Sequence, residues 1–204
     1  MIETQGKILD TAEHLFGTNG FAGTSLRQII AEAGVNLAAI HYHFGGKEEL
    51  LDQLVKRKVG PVNQERLALL DRFEADASPA PVPIDKLLRA FLEPPLQRMK
   101  EHPDFAKMMG RLYGEGLMPQ IAERNFQSVI ARFTAAFSRS LPHLNEKQVA
   151  VRLQFLVGAM AHTMLFAFQG FPIDGDLLIR ELIAFVTGGL KAPASMGEIA
   201  EENS

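Results

Sequence analysis

The chain has 204 residues, no cysteine and a formal net charge of −3, and 47% of its residues are hydrophobic. This composition excludes a disordered chain, disulfides and thiolate chemistry, and no apolar run reaches the roughly 18 uncharged residues that a membrane span needs. Because the N-terminus shows no basic and then apolar leader, we expect a cytoplasmic protein that does not bind a membrane.

Residues 24–47 predict two short helices around a glycine turn. Either Thr24 or Ser25 can accept a hydrogen bond from the free amides at the start of the first helix. Gly34 lies where the end of that helix needs a left-handed residue, and Asn36 can cap the second helix. This is the pattern of a helix-turn-helix, an arrangement that binds DNA.

The second of these helices is amphipathic. Its apolar stripe contains Leu37, Ile40 and Phe44 at steps of three and four. The same spacing leaves a strip of side chains that suits a DNA groove facing outward: Ala38, Ala39, His41, Tyr42 and His43. Two alternatives stay open, that these are ordinary helices of an all-helical protein and that Tyr42 packs against the first helix. No metal pair is expected, because a spacing of two puts the two histidines on different helix faces.

Prolines and capping residues divide the rest of the chain. Six further helices are predicted: from Lys47 to about Phe73, from about Ile84 to Pro94-Pro95, from Pro103 through Leu112, from Pro119 through Phe137, from Asn145 through Phe168, and from Asp176 to Leu190. Ala77–Pro83, with three prolines and a serine, is predicted as a loop. A helix that reaches Pro94-Pro95 is expected to kink or stop, since proline cannot donate a helix hydrogen bond. Asn145 and Gln148 resemble a capping box.

The last two predicted helices carry more apolar surface than one core-facing stripe needs. The surplus lies around Phe155–Phe168 and Leu182–Val186. Such a surplus indicates that these helices are buried against a partner. Residues 192–204 are predicted to be a flexible tail.

From Ile8 to Leu50 the chain resembles the N-terminal domain of the TetR family of transcriptional regulators. The residues that carry the resemblance are Ile8, Ala12, Leu15, Phe16, Gly20, Phe21, Thr24, Ile29, Ala31, Ala33, Gly34, Val35, Ile40, Tyr42, His43, Phe44, Lys47, Glu49 and Leu50. The resemblance implies an all-α fold, with a three-helix helix-turn-helix DNA-binding domain over residues 1–50 and a larger helical ligand-binding and dimerisation domain over residues 51–191. It also implies a homodimer, formed through the last two helices, that reads a palindromic operator on double-stranded DNA.

The resemblance further implies roles for single residues at DNA. Arg27 matches a position that meets DNA, and its guanidinium suits a phosphate or a guanine edge. Tyr42 and His43 match phosphate contacts, and Lys47 adds its charge to the start of the fourth helix. Small apolar side chains that can touch thymine methyl groups match the base-reading positions: Leu37, Ala38 and Ala39. The expected DNA-binding set also contains Thr24, Ser25, Asn36 and His41.

Phenylalanine and methionine are concentrated in the second part of the chain. TetR relatives usually hold an effector among their middle helices, and a pocket lined in this way would favour a small apolar molecule. Residues 35–39 and 42–45 also resemble the branch of the family that answers fatty acids or acyl thioesters. The candidate ligand-binding residues are Phe105, Met109, Phe126, Phe155, His162 and Phe166. The alternative is that these residues only form a helical core.

The hypothesis that follows is a ligand-responsive repressor that its effector releases from the operator. A hydrophobic-ligand carrier or protein-interaction module without DNA binding is the rival, although it leaves the first domain without a role. An enzyme is not expected, because the histidines show no metal or triad spacing. No cofactor and no metal are expected either.

Overall fold

The computed structural model describes residues 2–166 and 174–195, and all regular secondary structure in these two ranges is helical. The all-α prediction is confirmed. The helices of these ranges are α1 (Ile2–Asn19), α2 (Leu26–Ala33), α3 (Leu37–His43), α4 (Lys47–Ala77), α5 (Ile84–Glu101), α6 (Pro103–Gly114), α7 (Met118–Asn125), α8 (Gln127–Ser140), α9 (Glu146–Phe166) and α10 (Gly175–Lys191). Phe168 and tail residues 196–204 lie outside the described residues.

Local capping signals set several helix ends as predicted. Ser25 caps α2, because its hydroxyl accepts from the Gln28 backbone N–H at 3.3 Å while the Gln28 side chain accepts from the Ser25 N–H at 2.7 Å. Gly34 ends α2 in the left-handed region, at φ 62°. Asn145 and Gln148 exchange the same pair of hydrogen bonds ahead of α9, at 2.9 and 3.0 Å. These capping predictions are confirmed.

Internal prolines do not end the longer helices. α4 continues past Pro61, and α5 continues past Pro94 and Pro95 to Glu101. The expected stop in α5 is therefore absent. Because Pro95 has no N–H, it cannot donate to the Phe91 carbonyl four residues earlier. The Nε of Arg66 donates to that carbonyl at 2.8 Å, so a tertiary contact replaces the missing helix hydrogen bond.

The single helix predicted to open at Pro119 is two helices, α7 and α8, with a break at Phe126. The Asn125 carbonyl accepts from the Asn63 side chain of α4 at 3.0 Å, and the Asn125 side chain donates to the Ile121 carbonyl at 3.2 Å. Asparagine bonds of this kind compete with the backbone bonds of a helix. They account for the break in a stretch that contains no internal proline.

Two hydrophobic clusters form the interior. The N-terminal cluster joins α1, α2, α3 and the first half of α4 to α6 and to Ile121 of α7. The C-terminal cluster joins α5, α8, α9 and α10 to Leu70 in the second half of α4. α6 thus packs with the helix-turn-helix although it lies outside residues 1–50, and the boundaries predicted at 50 and 191 stay predictions. Among the described residues, no helix has the length and hydropathy needed to cross a membrane.

Candidate DNA-binding surface and ligand cavity

The outer face of α3 is exposed. Tyr42 is 76% exposed, and its ring lies edge-on to the His43 ring with 5.0 Å between the centroids. Ala38 and His41 are exposed as well, and Nδ1 of His41 is 2.9 Å from the Gly45 carbonyl oxygen. The exposure of Tyr42 rules out the alternative that its ring packs against the first helix.

Two basic residues of the expected DNA-binding set lie in the first turn of a helix. Arg27 is exposed at the start of α2. Lys47 begins α4, as predicted, and its Nζ lies 4.1 Å from the centroid of the Phe21 ring. Since the N-cap Gly46 has no side chain to cap α4, the lysine charge and the positive end of the helix dipole can act together on an anion.

Thr24 was expected to bind DNA, but the structure places its side chain in the interior. It is 2% exposed, and its hydroxyl donates to the Gly20 carbonyl at 2.7 Å and lies 3.2 Å from the Leu15 carbonyl oxygen. The side chain holds the turn after α1 and does not face solvent. Ser25 and Asn36 are exposed. The side chains at positions 37 and 39 lie outside the described residues.

Replacing Thr24 with valine is expected to lower the free energy of unfolding by about 1–3 kcal/mol. Valine has a similar shape, but it leaves the Gly20 carbonyl without the hydroxyl that donates to it. Urea unfolding followed by circular dichroism measures the change. Thr18→Val, at an exposed position of α1, is the matched control. A Thr24→Val curve that overlays the wild-type curve would contradict the structural role.

A cavity of about 120 Å³ lies among helices α4 to α9. Three of the predicted ligand-binding residues line it: Phe105, Met109 and Phe126. Phe91, Met118 and Met160 contribute further apolar surface. The cavity is thus lined in the way that favours an apolar group.

Phe155 and His162 do not line this cavity, contrary to expectation. Phe155 is 69% exposed, and His162 is exposed too. α9 instead directs Val157 and Met160 into the cavity. The reason is that α9 is apolar on more than one side, so its sequence does not define a single buried stripe. The side chain of Phe166 lies outside the described residues.

Arg66 was missed by the sequence reasoning, and it is the one charged side chain that lines the cavity within the described ranges. It is 3% exposed, its Nη1 is 3.4 Å from Asn63 Oδ1, and its Nη2 is 3.5 Å from Met160 Sδ. Burial lowers the pKa of Arg66 to about 9, so the guanidinium stays protonated at neutral pH. The signal that could have found it is a charge on an otherwise buried stripe of α4: Val59, Val62 and Leu70.

A wider groove of about 640 Å³ adjoins the cavity. The cavity and the groove share five lining residues: Phe91, Met118, Ala122, Ile130 and Val157. Tyr113 and Ile130 are 40% and 50% exposed at the groove. The shared side chains make the cavity and the groove neighbouring parts of one apolar space.

α6 connects the cavity to the helix-turn-helix. Phe105 and Met109 line the cavity and also belong to the N-terminal cluster. Just after α6, the Glu115 carboxylate accepts from the backbone N–H groups of Phe21 and Ala22, both at 3.0 Å. A change in the position of α6 would therefore reach the turn between α1 and α2 directly.

α9 and α10 each carry exposed apolar side chains. Phe155 on α9 and Phe185 on α10 are 69% and 76% exposed, and Val151 and Leu177 are exposed as well. Arg152 on α9 holds α10 in place by donating to the carbonyls at its C-terminal end: Gly189 at 3.0 Å, Leu190 at 2.8 Å and Ala192 at 2.7 Å. An exposed patch of large apolar side chains indicates a protein partner.

The chain matches the sequence models of two protein families. The first is described as "Bacterial regulatory proteins, tetR family" and matches residues 8–54, and the second is described as "Tetracyclin repressor-like, C-terminal domain" and matches residues 89–189. The probable HTH-type transcriptional regulator YttP of Bacillus subtilis is 46% identical over 54 residues, which are 26% of this chain and 26% of YttP. The HTH-type transcriptional regulator LmrA of the same bacterium is 38% identical over 79 residues, 38% of this chain and 40% of LmrA. The chain therefore spans less than half the length of these curated relatives.

A solved structure is similar over almost the whole chain. It is the TetR-like transcriptional regulator LfrR from Mycobacterium smegmatis, in complex with proflavine, with a TM-score of 0.59 and 21% identity over 91% of this chain and 95% of LfrR. At that identity the likeness shows the fold. The two matched descriptions cover the helix-turn-helix and most of the C-terminal cluster. On this evidence, the chain belongs to the TetR family of transcriptional regulators.

Proposed function

We propose that the chain is a transcriptional repressor that binds a palindromic operator as a homodimer and releases it when a small effector fills the cavity. The observation that carries the proposal is the exposed outer face of α3, on a helix-turn-helix whose core includes α6. Because α6 also lines the cavity, one element contacts both the core of the helix-turn-helix and the cavity. In this proposal residues 1–50 form the DNA-binding domain and residues 51–191 the ligand-binding and dimerisation domain.

The proposed contacts with DNA use side chains of α3 and of the first turns of α2 and α4; Tyr42 and Arg27 are exposed, and His43 and Lys47 are half-buried. α3 enters the major groove, where Ala38 near its N-terminal end meets base edges. Tyr42 and His43 contact phosphates, and Arg27 and Lys47 supply the positive charge from the starts of α2 and α4. Since the chromosome is the target, the repressor acts in the cytoplasm of a bacterial cell.

The homodimer forms through the exposed apolar side chains of α9 and α10. A two-fold axis through this surface pairs Phe155 and Phe185 with the same residues of a second copy. The two α3 helices then read half-sites about one DNA turn, roughly 34 Å, apart. This geometry selects a palindromic operator.

The effector acts by favouring a separation of the two DNA-reading helices that does not fit the operator. α4, α6 and α7 each line the cavity, and side chains of all three belong to the N-terminal cluster that contains the helix-turn-helix. To change operator occupancy from 99:1 to 1:99, the effector must prefer the released state by about 5.5 kcal/mol over the dimer. LfrR, which has the same fold, was solved with the small molecule proflavine.

The proposal is tested by a mobility-shift assay with genomic fragments, first without and then with candidate effectors. We expect a fragment with a palindromic site to be retarded, and a bound effector to release it. A hydrophobic-ligand carrier would retard no fragment. Unchanged operator affinity at saturating effector, with binding shown independently, would contradict the release mechanism.

A further inference from the structure

The cavity contains a buried positive charge that has no negative partner among the described residues. Arg66 is 3% exposed, and within residues 2–166 and 174–195 no carboxylate forms an ion pair with it. Its hydrogen-bond partners are a carbonyl oxygen, an amide oxygen and a methionine sulfur. Burial of an unpaired ion is costly to stability, so the charge needs an explanation.

The hydrogen bond that Arg66 donates to α5 does not explain why this buried side chain carries a charge. The Phe91 carbonyl that Pro95 leaves free needs one donor, and the Nε of Arg66 supplies it at 2.8 Å. A guanidinium has five N–H groups, and a neutral side chain such as glutamine could donate the same bond. The Nη1 bond to Asn63 is long, and the Met160 sulfur near Nη2 is a weak acceptor. The outer edge of the guanidinium therefore keeps most of its capacity to bind an anion.

We infer that the effector is an amphiphile with one carboxylate head, which pairs with the Arg66 guanidinium, and an apolar tail that passes Phe91 and Ile130 into the groove. The inference rests on the proposed function, because it names the effector class of the same site. One lining cation balances one negative charge, and carboxylate geometry matches the paired N–H groups of arginine. The remaining cavity lining is apolar and continues into the groove, which suits a tail.

A series of hydrogen bonds connects Arg66, which binds the head group, to the first part of α4, and this part of α4 packs with the DNA-binding helices. Arg66 donates to Asn63 on α4, Asn63 donates to the Asn125 carbonyl, and the Asn125 side chain donates to Asp52 near the start of α4 at 3.3 Å. A carboxylate that binds Arg66 competes with Asn63 for the guanidinium. The head group thus acts on the contact between α4 and α7, two helices that line the cavity.

The first experiment is calorimetric titration of the full chain with decanoate, decanol and decylammonium, three ligands that share a tail and differ in head charge. We expect decanoate to bind roughly thirtyfold more tightly than decanol, and decylammonium to bind most weakly. Arg66→Met should bring decanoate and decanol to within about twofold of each other, while Arg66→Lys should keep part of the preference. Arg72→Met, at an exposed position of the same helix, is the control and should keep the full preference.

The second experiment needs no variant and so does not depend on how Arg66→Met folds. Decanoate labelled with carbon-13 at its carboxyl group is bound to the wild-type chain, and the NMR chemical shift of that carbon is measured as the pH is lowered. Pairing with Arg66 should lower the pKa of the bound acid by about one to three units, whereas an unpaired carboxylate in an apolar cavity should have a raised pKa. A raised value would overturn the inference.

The outcomes separate this inference from the proposed function. If decanol binds wild type as tightly as decanoate and releases operator DNA, the repressor mechanism stands and the carboxylate assignment is wrong. A decanoate preference that persists in Arg66→Met also overturns the assignment. If the chain retards no DNA but binds decanoate in an Arg66-dependent way, the anion site stands and the repressor function is wrong. If none of the three ligands binds, the carboxylate assignment is overturned while DNA binding is judged by the mobility shift alone.

Discussion

Replacing Ala38 with glutamate is expected to weaken operator binding by at least about a hundredfold while the fold is retained. Ala38 is exposed on the outer face of α3, so the larger side chain has room and the N-terminal cluster is not disturbed. At the major groove, however, the new carboxylate would approach the negative charge of the phosphates and the acceptor atoms of the bases. A charge of the wrong sign at such an interface costs several kcal/mol.

Fluorescence anisotropy with labelled operator measures the change, and thermal unfolding checks the fold. Ala68→Glu, at an exposed position of α4, adds the same charge away from α3 and should bind DNA almost as the wild type does. Equal operator affinities for Ala38→Glu and Ala68→Glu would mean that α3 does not enter the groove.

Replacing Phe185 with glutamate is expected to convert the proposed homodimer into monomers and to lower operator affinity by about a hundredfold or more. Phe185 is 76% exposed in the single chain, and in the proposed dimer its ring is buried beside Phe155. Glutamate removes that apolar contact and would bury a carboxylate on each side of the two-fold axis. Each monomer would then bind one half-site without the gain in effective concentration that the second half-site provides.

Sedimentation velocity at micromolar concentration measures the assembly, and anisotropy measures the operator affinity. Gln64→Glu adds the same charge at an exposed position of α4 and should remain dimeric. A Phe185→Glu chain that sediments like the wild type would place the dimer interface elsewhere.

Predictions from the sequence succeeded where the physical cause is local. The exchange of hydrogen bonds between Ser25 and Gln28 spans three residues, and so does the one between Asn145 and Gln148, so both caps are visible in the chain itself. Gly34 is a similar case, because the left-handed end of α2 depends on that residue alone.

The failures have tertiary causes. The break at Phe126 depends on Asn63, which lies far from it in sequence but donates to the neighbouring Asn125 carbonyl. The outward direction of Phe155 could not be read from a helix that is apolar on several sides. Thr24 and Ser25 are adjacent hydroxyl residues, and only the packing shows that one is buried and the other is exposed. Arg66 was missed because a charge is normally assigned to the surface.

The membership of α6 in the N-terminal cluster has a consequence for protein engineering. Phe105 and Met108 of α6 are buried in that cluster together with side chains of α1 and α4. A chimera that transplants only the first fifty residues onto a foreign sensor would leave a void or a clash at that junction. A chimera that joins the DNA-binding helices of this chain to another sensor domain should therefore include α6 and Glu115 together with α1 to α3.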